Sequence, residues 1–179
     1  MYDVDEFVNK VLEGNRTAEE NKKALIRVLD PAAASVLKRL NISDLEKDFE
    51  ETLWELFQCD TPPSSTKLIH FGVRETADGC NLYVVGTRQK EPPEFRDTEE
   101  WDWVGPHNGV LKLPILSVLW ENLGGGKEEE WEVVLAVVMI LLKSYLSKNA
   151  ESFLDITGLS RVKITAGFDD GDLYEIPLE

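Results

Sequence analysis

The feature that most restricts the fold of this chain is an uninterrupted apolar run, residues 133–142. The acidic triplet 128–130 precedes it, and negative charge is stabilised beside the exposed amides of a helix's first turn. We therefore predict a helix over about residues 129–148 that is apolar around almost its whole circumference. Such a helix must be surrounded by other elements, so we expect it at the centre of the core. The run is far shorter than the ~20 residues of a membrane-spanning helix, so no membrane segment is expected.

The N-terminal portion predicts a succession of helices. Apolar residues between positions 4 and 12 repeat at helical spacing, and Gly14 follows as an end signal. Thr17 and Glu20 have the three-residue spacing of a capping box, in which each side chain satisfies the backbone amide of the other. A second helix is therefore expected from this point.

Two further helix starts follow. Asp30 is placed as a cap for Pro31, since proline suits the first helical position. Ser43 and Glu46 predict a second capping box. The helix expected after it has an apolar set made up of Leu45, Phe49, Leu53, Trp54, Leu56 and Phe57.

Residues 59–66 form the clearest linker, because Pro62 and Pro63 stand among polar residues and favour an extended backbone. The linker divides a helical N-terminal portion, residues 1–58, from residues 67–179. The alternative is one compact domain that includes both parts.

Beyond the linker, alternating apolar residues predict two β-hairpins. Residues 67–76 and 81–87 flank a turn at Asp78-Gly79, and residues 161–169 precede a second turn at Asp170-Gly171. Residues 114–123 predict a short helix. The predicted fold class is α+β: an antiparallel sheet of two or more hairpins packed on the central apolar helix, with a helical N-terminal portion.

The charge balance limits the partners of this chain. It has 34 Asp and Glu residues against 19 Lys and Arg residues, a formal net charge of −15. Charge of this sign repels phosphate and anionic lipid, and it speeds the encounter with basic proteins. We therefore expect a basic protein as the partner, and neither nucleic acid nor a membrane.

No residue pattern predicts a catalytic, metal or cofactor site. The two histidines and two cysteines lack the spacing of zinc ligands, and the acidic stretch 168–172 lacks the ligand spacing of a calcium loop. No cofactor is expected. Two alternatives to a binding protein remain: a small enzyme that uses His107 with loop carboxylates, which requires a concave pocket, and an acidic assembly subunit that forms a symmetric dimer.

The strongest candidate for a partner-binding site is the segment 91–103, which has six acids, one arginine and three aromatic residues. We expect its carboxylates to attract a basic partner and its tryptophans to anchor it. Arg96 would orient the segment by pairing with a neighbouring acid. The alternative is a solvated acidic loop whose tryptophans fold back over the sheet edge. The predicted binding residues of this segment are Glu94, Asp97, Glu99, Glu100, Trp101, Asp102 and Trp103.

Two details complete this hypothesis. Glu99, Glu100 and Asp102 would substitute for substrate phosphates in the partner. Trp101 and Trp103 are two positions apart, so they would share a face in an extended segment. A second acidic patch contributes Asp169, Asp170 and Asp172.

The acidic composition, the Trp-rich loop and the strand ending 167–172 resemble the immunity proteins of bacterial toxin systems. The resemblance covers residues 67–179 and assigns no role to an individual residue. It implies a small cytoplasmic protein that binds a cognate toxin domain, frequently a basic nuclease, and blocks it. A cytoplasmic location also agrees with the low cysteine content and with an N-terminus that lacks the features of a signal peptide.

Overall fold

The computed structural model describes residues 3–76, 79–92, 101–105, 110–111, 113–123, 128–168 and 173–178. The predicted α+β class is confirmed. In chain order, the elements are α1 (Val4–Glu13), α2 (Ala18–Val28), α3 (Pro31–Arg39), α4 (Ile42–Cys59), β1 (Leu68–Thr76), β2 (Gly79–Thr87), β3 (Trp103–Val104), β4 (Val110–Leu111), α5 (Pro114–Leu123), α6 (Glu128–Thr157), β5 (Lys163–Phe168) and β6 (Leu173–Ile176).

Side-chain caps fix the beginnings of the N-terminal helices. The predicted capping box of α2 is present. The Thr17 hydroxyl accepts a hydrogen bond from the Glu20 amide at 3.3 Å, and the Glu20 carboxylate accepts one from the Thr17 amide at 2.9 Å. Asp30 caps α3 by accepting the Ala32 amide at 2.8 Å, and Pro31 occupies the first turn as predicted. These bonds satisfy donors that have no partner within the helix.

Helix α4 begins differently from the prediction. Its cap is Asn41, whose side-chain oxygen accepts the Ser43 amide at 3.2 Å. Glu46 instead reaches α6, where its carboxylate accepts hydrogen bonds from the Lys148 ammonium, at 2.5 Å, and from the Ser144 hydroxyl. The predicted capping box of Ser43 and Glu46 is wrong, because the helix begins two positions earlier than expected and places Glu46 against a neighbouring helix.

The sheet has the strand order β3-β2-β1-β5-β6, and β4 also pairs with β2. Both predicted hairpins are present, β1 with β2 and β5 with β6. They are joined through β1 and β5, which run parallel, with Leu68 opposite Lys163. The sheet is therefore mixed: its hairpins are antiparallel as predicted, and the parallel pairing of β1 with β5 departs from the predicted antiparallel sheet. The long connection from β2 to β5, which includes α5 and α6, returns the chain to the end of the sheet where β1 begins, as a parallel neighbour requires.

Helix α6 is the centre of the core, as predicted. Each residue of the run 133–142 has 3% or less of its surface exposed to solvent. Helices α1, α2, α4 and α5 pack around α6, and β5 contacts it. The predicted end at Lys148 marks a kink, since Asn149 has non-helical dihedral angles and the helix then continues to Thr157. Gly158 ends it in the left-handed conformation, with a φ of 67°, which a residue without a β-carbon adopts without strain.

The length of α6 bears on the question of membranes. By length and composition its segment Trp131–Thr157 is apolar enough to cross a bilayer, with a mean hydropathy of 1.5. The apolar run 133–142 is much shorter than this helix, because the helix continues through the polar residues that follow the run. In the folded protein 78% of the most apolar 18-residue stretch of this helix is buried, as expected for a core helix.

Residues on both sides of the 59–66 linker contribute to one hydrophobic core. Phe57 of α4 packs edge-on against Phe153 of α6, with ring centroids 5.6 Å apart. Tyr174 of β6 donates its hydroxyl hydrogen to the Asp5 carboxylate of α1. The helical portion is thus held against the sheet and α6 by both apolar and polar contacts.

We predict that Phe57→Ala lowers the free energy of unfolding by about 3–5 kcal/mol, because it leaves a cavity between fully buried aromatic rings. The control is Trp54→Ala, three positions away on the exposed side of the same helix, which should change the free energy by less than about 1 kcal/mol. Urea denaturation followed by circular dichroism measures both values. Equal losses for the two variants would contradict the packing described for α4.

Candidate acidic binding surface

Most of the acids predicted to bind a partner lie outside the described residues. This applies to Glu94, Asp97, Glu99 and Glu100 in the first patch, and to Asp169, Asp170 and Asp172 in the second. Their binding roles stay predictions. Arg96 and His107 also lie outside the described residues, so the pairing proposed for Arg96 and the pocket expected around His107 stay predictions too.

Trp101 is buried, and its predicted role as an exposed anchor is wrong. Only 6% of its surface is exposed. Its indole stacks on the His70 ring, with centroids 5.5 Å apart and an interplanar angle of 10°. It belongs to a small apolar cluster with Leu68, Tyr83 and Val85. Trp101 therefore covers the face of the sheet that lies opposite the main core.

Trp103 is buried on the other face of the sheet, with 7% exposure. Its ring stacks on Phe57 at 6.0 Å, and its indole N–H donates to the Asp60 carboxylate at 3.2 Å. It pairs with Gly86 of β2, and a β-carbon there would lie 3.2 Å from the indole. The expectation that Trp101 and Trp103 share a face is wrong, because Trp101 precedes the paired strand and the chain bends between the two residues.

Asp102 has a structural role between these tryptophans. Its carboxylate accepts the Arg88 amide at 2.7 Å and the Thr87 hydroxyl at 2.9 Å. The Arg88 amide, followed by the Thr87 hydroxyl, lowers the pKa of Asp102 below its usual value. The Asp102 carboxylate therefore holds the segment after β2, and its use as a phosphate substitute stays a prediction. Together, the three residues match the alternative in which the tryptophans fold back over the sheet.

The exposed aromatic side chain that the binding hypothesis requires lies elsewhere, on α4. Trp54 is 56% exposed, and among the described residues Trp54 and Val28 are the large hydrophobic side chains that face solvent. The sequence prediction counted Trp54 with Leu53 in the apolar set of this helix. Successive helical residues differ by about 100° around the axis, so Trp54 lies well off the buried stripe to which Leu53 belongs. That stripe consists of Ile42, Leu45, Phe49, Leu53, Leu56 and Phe57.

Carboxylates flank Trp54 on the exposed side of the helix. Glu50 and Glu51 lie one turn before it and are its neighbours on the helix surface. Glu55, the next residue along the chain, is also exposed. Helix α4 has six carboxylates and one lysine, Lys47, which pairs with Glu51 at 3.6 Å. Glu46 is turned toward α6, and the other five carboxylates are exposed. We call this set the α4 surface: Trp54 with Asp44, Asp48, Glu50, Glu51 and Glu55.

The described residues offer little for acid–base or metal chemistry. No group of three or more His, Cys, Asp or Glu side chains is placed to hold a metal ion in this part of the chain. The two described carboxyls with a perturbed pKa are Asp102 and Glu20, and the pKa of Glu20 is lowered by the Thr17 amide of the capping box. Both carboxyls are held in the charged form by bonds that maintain local structure.

The chain matches no protein-family model, no curated protein and no solved structure.

We predict that Asp102→Asn destabilises the protein by about 1 kcal/mol at pH 7, because a neutral amide is a weaker acceptor for the Arg88 amide and the Thr87 hydroxyl. A lowered pKa stabilises the fold above the unfolded-state pKa, and this stabilisation is lost as pH falls through the folded-state pKa. The difference between wild type and variant should therefore shrink below about pH 4. Urea denaturation at several pH values measures the free energy of unfolding of both proteins. A difference between them that does not change with pH would contradict the role given to the Asp102 carboxylate.

A second prediction concerns the exposure and electrostatic surroundings of Trp54. Cs⁺ should quench tryptophan fluorescence more than iodide does when each quenching constant is divided by that for free N-acetyltryptophanamide, since the acids around the exposed indole attract cations and repel anions. Trp54→Phe should remove most of the Cs⁺ quenching, and replacing Glu50, Glu51 and Glu55 with Gln should reduce the difference between the two ions. Trp101→Phe is the control, and it should leave the difference unchanged. Equal quenching by both ions in wild type would refute the acidic surroundings.

Proposed function

We propose that this protein is a non-enzymatic acidic binding protein that neutralises a basic toxin or nuclease domain, as bacterial immunity proteins do. We further propose that the α4 surface makes the contact. The observation that supports this most strongly is Trp54, 56% exposed in the middle of a carboxylate-rich helix face. An exposed tryptophan costs solvation free energy, and a surface that places one among charges is typical of a binding site.

The charge of the protein supports the choice of partner. A net charge of −15 accelerates association with a cationic domain and keeps nucleic acid away. The grooves in which nucleases bind nucleic acid are basic because they neutralise phosphates, so a carboxylate surface is complementary to them. The exposed acids of α4 would meet those cations, while the buried stripe of the same helix fixes their positions.

Trp54 would supply the short-range part of the affinity. Central tryptophans of an interface commonly contribute about 2–4 kcal/mol each when truncated to alanine. The indole stands on a helix whose opposite face is packed into the core, so little conformational entropy is lost when it enters a partner pocket. Electrostatic attraction would thus bring the partner close, and the tryptophan would slow its release.

A symmetric dimer through this surface is disfavoured. A two-fold interface would place the exposed carboxylates of one α4 against those of the second copy, and like charges repel. Repulsion between the two sets of carboxylates therefore favours a basic heterologous partner over the assembly-subunit alternative. We further propose a bacterial cytoplasmic location, which agrees with two cysteines that form no disulfide.

Affinity capture from the source cell, followed by binding kinetics on the purified pair, tests the proposal. We expect a basic protein at 1:1 stoichiometry whose activity is blocked on binding. Trp54→Ala should weaken binding roughly 30-fold or more, mainly through faster dissociation. Val28→Ala truncates the other large hydrophobic side chain that is exposed among the described residues, and it should leave the affinity unchanged.

Two sets of charge reversals distinguish the effect of the α4 surface on association from the effect of the net charge. The first replaces Glu50, Glu51 and Glu55 with Lys; the second replaces the exposed acids Glu13, Glu151 and Asp155 with Lys. Both sets change the formal net charge from −15 to −9. The first set should slow association much more than the second. Equal effects would refute the α4 surface as the site, and capture of no basic protein would refute the proposed function.

A further inference from the structure

Four cations of this acidic chain gather at one end of the sheet. They are Lys67, Lys90, Arg161 and Lys163, which line a single cavity of about 720 Å³. Two carboxylates, Glu91 and Glu175, line the same cavity. Cations therefore outnumber acids at this point, whereas acids outnumber cations by 34 to 19 over the whole chain.

The sheet topology brings these residues together. Lys67 precedes β1 and Lys163 begins β5, and these strands are parallel, so their first residues lie at the same end of the sheet. The Lys163 amide donates to the Lys67 carbonyl at 2.8 Å, and the Lys67 amide donates to the Thr87 carbonyl at 2.8 Å. Strand β2 is antiparallel to β1 and ends at Thr87, so Lys90 follows at this same end.

Internal pairing uses only part of this positive charge. Lys163 binds Glu175 at 3.1 Å and Glu91 at 3.6 Å, and the hydrogen bond with Glu175 raises the pKa of Lys163. Lys67, Lys90 and Arg161 form no ion pair with any carboxylate in the described part of the chain. Lys67, Lys90 and Arg161 are exposed and line one cavity, and their like charges repel at short distance. A bound anion would relieve this repulsion, so the three cations, which have no ion pair within the described residues, indicate a site for an anion.

The cavity favours a small and densely charged ligand. Its volume lies within the range of small-molecule sites, and Val162 is its one apolar side chain. Arginine binds phosphate through two parallel N–H bonds, and lysine adds point charges. A long polyanion such as RNA would extend past the cavity and meet the repulsive field of the whole protein. A compact ligand with adjacent phosphates stays within the cavity, where cations outnumber carboxylates.

We propose that this cavity binds a small anion with adjacent phosphate groups, such as inorganic pyrophosphate or a nucleoside diphosphate, through Lys67, Lys90 and Arg161. The site is separate from the α4 surface, and it adds small-molecule binding to a protein that otherwise binds through its acids.

Isothermal titration of the full chain with inorganic pyrophosphate tests this, at 50 and 150 mM NaCl and without divalent metal. We expect saturable 1:1 binding that weakens at the higher salt concentration. Arg161→Gln and Lys67→Gln should each weaken it by about tenfold. Lys38→Gln, an exposed lysine of α3 outside the cavity, removes the same charge and should leave the affinity unchanged.

Further titrations identify the chemistry of the ligand. Tighter binding of a nucleoside diphosphate than of pyrophosphate assigns the nucleotide as the ligand, and equal binding assigns the phosphates alone. Lack of saturable binding to both would overturn the proposal, as would equal losses in Lys38→Gln and Arg161→Gln. Trp54→Ala should bind pyrophosphate like wild type, so this outcome is independent of the function proposed for the α4 surface.

Discussion

Helix α6 has apolar side chains around most of its circumference, and water must be excluded from all of them. One layer of structure cannot do this, so helices enclose α6 on several sides and the sheet contributes β5. This requirement explains why the N-terminal helices belong to the same core as the hairpins although a proline-rich linker separates them in sequence. It also explains the amphipathic character of α4, which offers one stripe to the core and leaves the other side to solvent.

The two sides of α4 have different chemistry for a physical reason. On the inner side, Glu46 is bound by Ser144 and Lys148, so its charge is compensated where it approaches another helix. On the outer side, the carboxylates face water and need no partner for stability. Surface acids of this kind are retained at little cost to the fold, and they determine which molecules approach. The cations at the end of the sheet form a smaller region of opposite sign.

Local signals predicted the local features of this fold. The caps at Thr17 and Asp30, the helix over 114–123 and the apolar run of α6 depend on neighbouring residues, and each is found where the sequence indicates it. The parallel pairing of β1 and β5 joins residues about 95 positions apart, and no short-range pattern encodes it. The cavity of cations follows from that pairing, so it could not be found from the sequence either. Trp54 was predicted in the same apolar set as Leu53, whereas the helical angle between the two residues separates their environments.

The parallel register of β1 and β5 also affects how the chain is made. While the ribosome adds the residues between Leu68 and Lys163, β1 has β2 on one edge and nothing from β5 on the other. At typical rates of synthesis this interval lasts roughly 5 to 20 seconds. Throughout it, an apolar strand edge is available for pairing with other nascent chains. Chaperone protection during translation would therefore benefit this protein most between the emergence of its first hairpin and that of its second.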